Sequence, residues 1–273
     1  MDSAAPGHLL AESGRGAAIR FRSVAKRYRA HAVLREVSFE APRGCSTAIA
    51  GINGAGKSTL LRCLLDFCQP DQGQILIGDR DHTRVDARAC LGWLPERFAA
   101  PAHLSARECL HWLAALRGAE LDSARAEMLG RELGLDAKAW QTRAQKLSKG
   151  TMQKLGLMSI ALSPCPVWVL DEPTSGLDPQ GRQVFLRLLH AARQSGRTVL
   201  FTSHALRDVA LLCDQLVVLH DGAVRFCGAP ADLAARYENA DLEAAFLACI
   251  EEGGGKPSAA RSHAAQASQG VTQ

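Results

Sequence analysis

Residues 51–58 read Gly51-Ile52-Asn53-Gly54-Ala55-Gly56-Lys57-Ser58, with Thr59 next. An apolar stretch, Thr47-Ala48-Ile49-Ala50, precedes them, and an apolar helical face of Leu60, Leu61, Leu64 and Leu65 follows. A strand, a glycine-rich loop and a helix N-terminus in this order form a phosphate-binding loop. The glycines let the backbone curl so that successive N–H groups point inward at an anion. The helix start adds unpaired donors and the positive end of its dipole. Within this loop Gly51, Asn53, Gly54, Ala55, Gly56 and Thr59 are the expected nucleotide cradle. The Lys57 ammonium is expected on the β- and γ-phosphates, and the Ser58 hydroxyl on a Mg²⁺ ion.

Such a site also needs an acidic residue on the metal and a group that orients the attacking water. Val167-Trp168-Val169-Leu170-Asp171-Glu172 supplies both candidates. Four apolar residues ending in two carboxylates suit a parallel strand buried on both faces. Ligands of open parallel sheets sit at the carboxyl ends of the strands. Asp171 is therefore expected on the metal, and Glu172, one residue nearer the γ-phosphate, as general base. A carboxylate pair that merely closes a strand before Pro173 is the plainer alternative.

Three further segments complete a motif order. They are Leu147-Ser148-Lys149-Gly150-Thr151, then Pro173-Thr174-Ser175-Gly176-Leu177-Asp178-Pro179, then Thr202-Ser203-His204. With the first two motifs they resemble the ATP-binding subunit of ABC transporters, over roughly residues 18–240. The resemblance implies a fold: an α/β P-loop NTPase, with a RecA-like core sheet, an antiparallel β subdomain and a helical insert. It also implies roles. Ser148 and Gly150 match the signature loop, which in the family closes over the γ-phosphate held by a second subunit. Lys149 stands where the family usually has glycine, and Thr151 where it has glutamine. Asp178 matches an aspartate that spans the two subunits, and it also suits the N-cap of a helix running to Gly196. His204, at the end of an apolar strand, matches a histidine that bonds the γ-phosphate. Tyr28, expected just before the first long strand, matches an aromatic that stacks on adenine. Stacking alone discriminates weakly between ATP and GTP. Glu96, in Leu91-Gly92-Trp93-Leu94-Pro95-Glu96-Arg97, stands where most members carry a glutamine near Mg²⁺, and a carboxylate oxygen can ligate that ion. The Pro95-Glu96 form and the segment 241–247 resemble the subgroup that works with ABC-2-type permeases, mostly exporters.

Composition fits this frame. The 273 residues are 47% hydrophobic, enough for one large domain with an insert. The net charge of +4 is too mild to make nucleic acid the main ligand, although seven basic residues gather between Arg15 and Arg35. No apolar stretch approaches the ~18 residues needed to span a bilayer. Residues 1–17 lack the apolar core of a secretory signal. A cytoplasmic protein, peripheral on the inner face of the membrane, is expected, with a separate permease forming the pathway. The nine cysteines include no Cys-x-x-Cys and read as reduced thiols, mostly in apolar patterns.

The chain divides into a flexible tail (1–17), an ATP-binding domain (18–250) and a disordered tail (251–273). Residues 96–163, rich in Ala, Leu, Arg and Glu, are expected as the helical insert, with Leu110, Leu113 and Leu116 on its apolar face. Asp221-Gly222 predicts a hairpin turn. The function that follows is ATP hydrolysis by a dimer, a homodimer on the simplest reading, coupled to a membrane permease. The alternatives are an ABC-type ATPase acting on ribosomes or nucleic acid, and a small-molecule kinase. The first is opposed by a single nucleotide unit and a short insert, the second by the signature loop.

Overall fold

The computed structural model describes residues 16–238 and 241–252. The expected tails therefore lie outside the described residues, apart from a few positions that join strand or helix at their inner ends. From the N-terminus come β1 (Ala17–Tyr28), β2 (His31–Pro42) and β3 (Ser46–Ala50), then α1 (Lys57–Leu64), β4 (Gln72–Ile77), β5 (Arg80–Asp81), α2 (Val85–Arg88) and β6 (Leu91–Leu94). Helices α3 (Ala106–Leu116), α4 (Ser123–Glu132), α5 (Ala137–Gln141) and α6 (Lys149–Ala161) occupy the segment expected to be helical. The chain then runs through β7 (Val167–Leu170), α7 (Pro179–Gln194), β8 (Thr198–Ser203), α8 (Leu206–Leu212), β9 (Gln215–His220), β10 (Ala223–Gly228), α9 (Pro230–Arg236) and α10 (Leu242–Glu252).

Two sheets result. One has four antiparallel strands in the order β2-β1-β4-β5; the other has six in the order β10-β9-β3-β8-β7-β6. Strands β3, β7 and β8 are buried along their whole length, which explains why they read as continuous apolar runs rather than alternating ones. Successive residues of each face opposite layers. Ala48, Trp168, Leu170 and Phe201 face the layer holding α6, α7 and α8. Ile49, Val169 and Leu200 face α1 and the antiparallel sheet, where Phe21 and Phe39 stack at 4.6 Å between ring centroids. This is the mixed α/β architecture of a P-loop NTPase with an antiparallel subdomain. At the Asp221-Gly222 turn both residues have positive φ, 48° and 73°, as a two-residue hairpin of type I′ requires.

Register decides where the loops emerge. Ala50 pairs with Ser203 across β3 and β8, and Leu170 pairs with Phe201 across β7 and β8. Gly51, Asp171-Glu172 and Thr202-Ser203-His204 thus leave the sheet at one edge, on adjacent strands, although more than 150 residues separate the first from the last.

Two expectations need correction. Tyr28 is the last residue of β1, not a residue ahead of it. The turn follows it, with Arg29 at φ 54°. On α3, Leu110 is buried but Leu116 is 64% exposed, so the apolar spacing there does not mark one buried face. The buried side of α3 is instead Ala106, Cys109 and Leu110.

Candidate active site

The phosphate loop has the shape its glycines permit. Gly56 precedes α1 at φ 106°, a conformation closed to ordinary side chains. At Gly51 the constraint is contact rather than torsion: a Cβ would lie 2.4 Å from the Leu219 carbonyl oxygen. The β9–β10 turn buttresses the loop through the Gly222 N–H, which donates to the Ala55 oxygen at 3.2 Å.

Lys57 is buried, and its ammonium donates to the Gly51 oxygen at 2.6 Å and the Ile52 oxygen at 3.4 Å. It lies 3.8 Å from Glu172 Oε1. Burial pushes the Lys57 pKa below its ordinary value, against the opposing pull of Glu172, Asp171 and Glu96. One ammonium among three carboxylates leaves an excess of negative charge. Ser58, Asp171 and Glu96 offer the hard oxygen donors that a divalent cation accepts.

Glu172 is held from four directions. Its N–H donates to the Thr202 hydroxyl at 2.9 Å. Its Oε2 accepts from the His204 N–H at 3.3 Å and lies 2.8 Å from His204 Nδ1, while Oε1 faces Lys57. Its backbone sits at φ 46°, an uncommon conformation for this residue type. Thr202, wholly buried, also donates its hydroxyl to Asp171 Oδ1 at 2.6 Å. One threonine therefore positions both carboxylates.

A cavity of about 510 Å³ opens over this edge. Asn53, Gly54, Gly56, Lys57, Ser58, Thr59, Glu96, Glu172 and His204 line it. Gly51, Ala55 and Asp171 are not among its lining residues; the first two belong to the loop backbone, and Asp171 is bound by the Thr202 hydroxyl. The cavity also takes in His31 and Val33, which sequence reasoning missed because they start β2 without a motif. Tyr28 is not among the lining residues. It is 44% exposed and its hydroxyl donates to Cys68 Sγ at 3.6 Å.

Ser148, Gly150 and Asp178 do not line this cavity either. Ser148 caps α6, accepting from the Thr151 N–H at 3.1 Å, and its hydroxyl lies 2.8 Å from that of Thr151. Thr151 thus holds the Ser148 hydroxyl at the exposed start of α6. Gly150 allows close approach of the neighbouring loop: its Cβ would come 3.1 Å from the Gly176 oxygen. Asp178 caps α7 through Gly181 N–H at 2.7 Å and pairs with Lys154 at 2.7 Å. Lys154, first, and the Gly181 N–H hold its carboxyl below the usual range. The cap is local and the ion pair ties α6 to the start of α7, and together they leave the carboxylate half in solvent.

Comparison with known proteins bears on the family and the fold. Residues 34–175 match the family described as ABC transporter. The Nod factor export ATP-binding protein I of Burkholderia orbicola is 35% identical over 222 residues, 78% of this chain and 71% of that protein. The lipopolysaccharide export system ATP-binding protein LptB of Acidithiobacillus ferridurans is 33% identical over 221 residues, 78% of this chain and 90% of that one. By contrast, the match to the human retinal-specific phospholipid-transporting ATPase ABCA4 spans 8% of that much longer protein. Among solved structures, one described as the ATP binding subunit of an ABC transporter superposes with a TM-score of 0.77 at 28% identity, covering 85% of this chain and 98% of that one. A dimeric ATP-binding cassette bound to ADP and phosphate in a post-hydrolysis state shares the fold, with a TM-score of 0.69 at 20% identity over 77% of this chain and 98% of that one. The chain belongs to the ABC transporter family, as an ATP-binding subunit that hydrolyses ATP.

Proposed function

We propose that this subunit drives export through a separate ABC-2-type permease, working as a dimer around two Mg²⁺–ATP molecules at the inner face of the membrane. The observation that carries the reading is the split of the motifs. Lys57, Glu172 and His204 converge on one cavity, whereas Ser148 and Asp178 face solvent away from it. A second copy turned toward this one would bring Ser148 and the free N–H groups of α6 to the γ-phosphate. Gly54, Gly56, Lys57 and Ser58 hold the triphosphate in this account, and Tyr28 takes the base beside His31 and Val33. Ser58, Asp171 and Glu96 fit Mg²⁺, whose charge would offset that of the phosphates. Glu172 orients and deprotonates the attacking water, and His204 holds the γ-phosphate while steadying Glu172. Closure of the dimer excludes water and completes the electrostatic cradle. Loss of the γ-phosphate bridge then reopens the pair.

Coupling to a permease is supported by α3. Trp112 and Leu116 stand exposed on it, beside a second cavity of about 330 Å³ lined by Leu91, Leu116, Cys165 and the two arginines Arg88 and Arg117. Among the described residues no helix is long and apolar enough to cross a membrane. The names of the Nod factor and lipopolysaccharide export relatives favour outward transport.

The test is purification from native membranes after nuclease treatment. Co-purification with a membrane protein of about six spans, and phosphate release without a phosphorylated product, is the expected result. Co-purification with ribosomes or nucleic acid instead would favour a non-transport ATPase.

A further inference from the structure

Two cysteines lie together beside the nucleotide site and take no part in the chemistry above. Cys63 is on α1, the helix that begins with Lys57 and Ser58, and it is fully buried. After Leu64 the chain folds back: Asp66 adopts φ 62°, and the N–H groups of Phe67 and Cys68 both donate to the Arg62 oxygen, at 2.9 and 3.4 Å. This tight return brings Cys68 Sγ to 3.6 Å from Cys63 Sγ. Cys68 is part-exposed, so a reagent in solution can reach it. Its sulfur also accepts the hydrogen bond from the Tyr28 hydroxyl. The Tyr28 ring also meets Lys26, whose ammonium lies 5.6 Å from the ring centroid and 2.8 Å from Asp71.

We propose that Cys63 and Cys68 form a reversible dithiol–disulfide site that sets nucleotide affinity through Tyr28. The inference rests on the reading of Tyr28 as the residue that takes the base. The oxidant is a low-molecular-weight disulfide, and the exchange proceeds in two steps. The Cys68 thiolate bonds to one sulfur of the reagent; the reagent's S–S bond breaks and its other sulfur leaves as a thiolate that takes up the Cys68 proton. Cys63 then gives up its proton and attacks Cys68 Sγ, expelling the second reagent sulfur, which takes that proton. The two cysteines lose two electrons and two protons, and the reagent gains them as two thiols. Burial pushes the Cys63 thiol up to about 12, which leaves the first attack to Cys68. Bond formation draws the two sulfurs together from 3.6 Å, so the sulfur that anchors the Tyr28 hydroxyl must shift. A ring released from that anchor is less well placed for the base. Loss of one hydrogen bond of ordinary strength corresponds to a nucleotide affinity about fivefold weaker.

The experiment uses the full chain, incubated with glutathione disulfide or with excess dithiothreitol. Trypsin cleaves after Arg62 and Arg80, so both cysteines fall in one peptide, residues 63–80. The expected result is loss of two hydrogens from that peptide, together with an affinity for a fluorescent ATP analogue about fivefold weaker, restored by dithiothreitol. Cys68→Ser keeps an acceptor for the Tyr28 hydroxyl, and its affinity should no longer respond to oxidant; Cys68→Ala serves if that variant misfolds. Absence of the crosslink, a crosslink without change in affinity, or an oxidant response that survives in the Cys68 variants would overturn the proposal. Tyr28→Ala separates it from the reading beneath it. Unchanged affinity in reduced Tyr28→Ala would remove the base contact itself. Weaker affinity in that variant, with oxidised wild type binding like reduced, would remove only the redox control.

Discussion

Replacing Thr202 with valine removes one hydroxyl and keeps the shape of the side chain. That hydroxyl is buried and serves two partners: it accepts from the Glu172 N–H at 2.9 Å and donates to Asp171 Oδ1 at 2.6 Å. A hydrogen bond to a charged group contributes about 1.5–3 kcal/mol, and a buried N–H left unpaired costs about 1–3 kcal/mol. Local relaxation can offset part of the sum, leaving a loss of about 2–4 kcal/mol. In a domain of this size that lowers Tm by roughly 5–15 °C. The effect on catalysis is separable. Glu172, freed at its N–H and held at φ 46°, shifts relative to Lys57 and His204, and turnover should fall by about tenfold or more. Thr202→Ser keeps the hydroxyl and should stay within about 1 kcal/mol of wild type. The assay pairs thermal denaturation with phosphate release at saturating ATP. A valine variant as stable and as active as wild type would refute the claim that Thr202 positions the two carboxylates.

Other outcomes follow from the same geometry. Glu172→Gln should retain ATP binding but lower turnover by about 100-fold or more, read from phosphate release beside equilibrium binding; near-normal turnover would take the base role away from Glu172. Lys57→Ala should weaken nucleotide binding itself, since it removes a buried ammonium that lines the cavity, and an unchanged affinity would count against the phosphate assignment. Asp178 has a carboxyl held below the ordinary range by Lys154 and the Gly181 N–H, so its contribution is complete above the unfolded value, near pH 4, and is lost as pH falls through the folded one. Asp178→Asn should therefore flatten the acid side of the stability profile, measured as Tm between about pH 6 and pH 3; identical profiles would contradict that sign.

The residues legible in the sequence are those whose chemistry is written in consecutive positions. The run from Gly51 to Ser58 carries its torsional demands in its own glycines, and Val167–Leu170 announces a strand buried on both faces. In the sequence Thr202 stands out only as the neighbour of His204. Its double role depends on β8 lying beside β7 in register, a fact of topology and not of local pattern. His31 and Val33 were missed for the same reason: the β1–β2 hairpin brings them over the phosphate loop from the other sheet. Helix α6 hides from periodicity in another way. It buries every residue from Gln153 to Ala161, so no face stands out. On α3 the apolar spacing misled because Leu116 points to solvent instead of into the core.

In the proposed mechanism ATP is a removable bond between two copies of the subunit. The direct measurement is the light-scattering mass of the Glu172→Gln chain with saturating ATP and Mg²⁺. Twice the monomer mass of 29.2 kDa, falling back to one copy when ADP replaces ATP, is the predicted result. A chain demonstrably loaded with ATP that stays a single copy would contradict it.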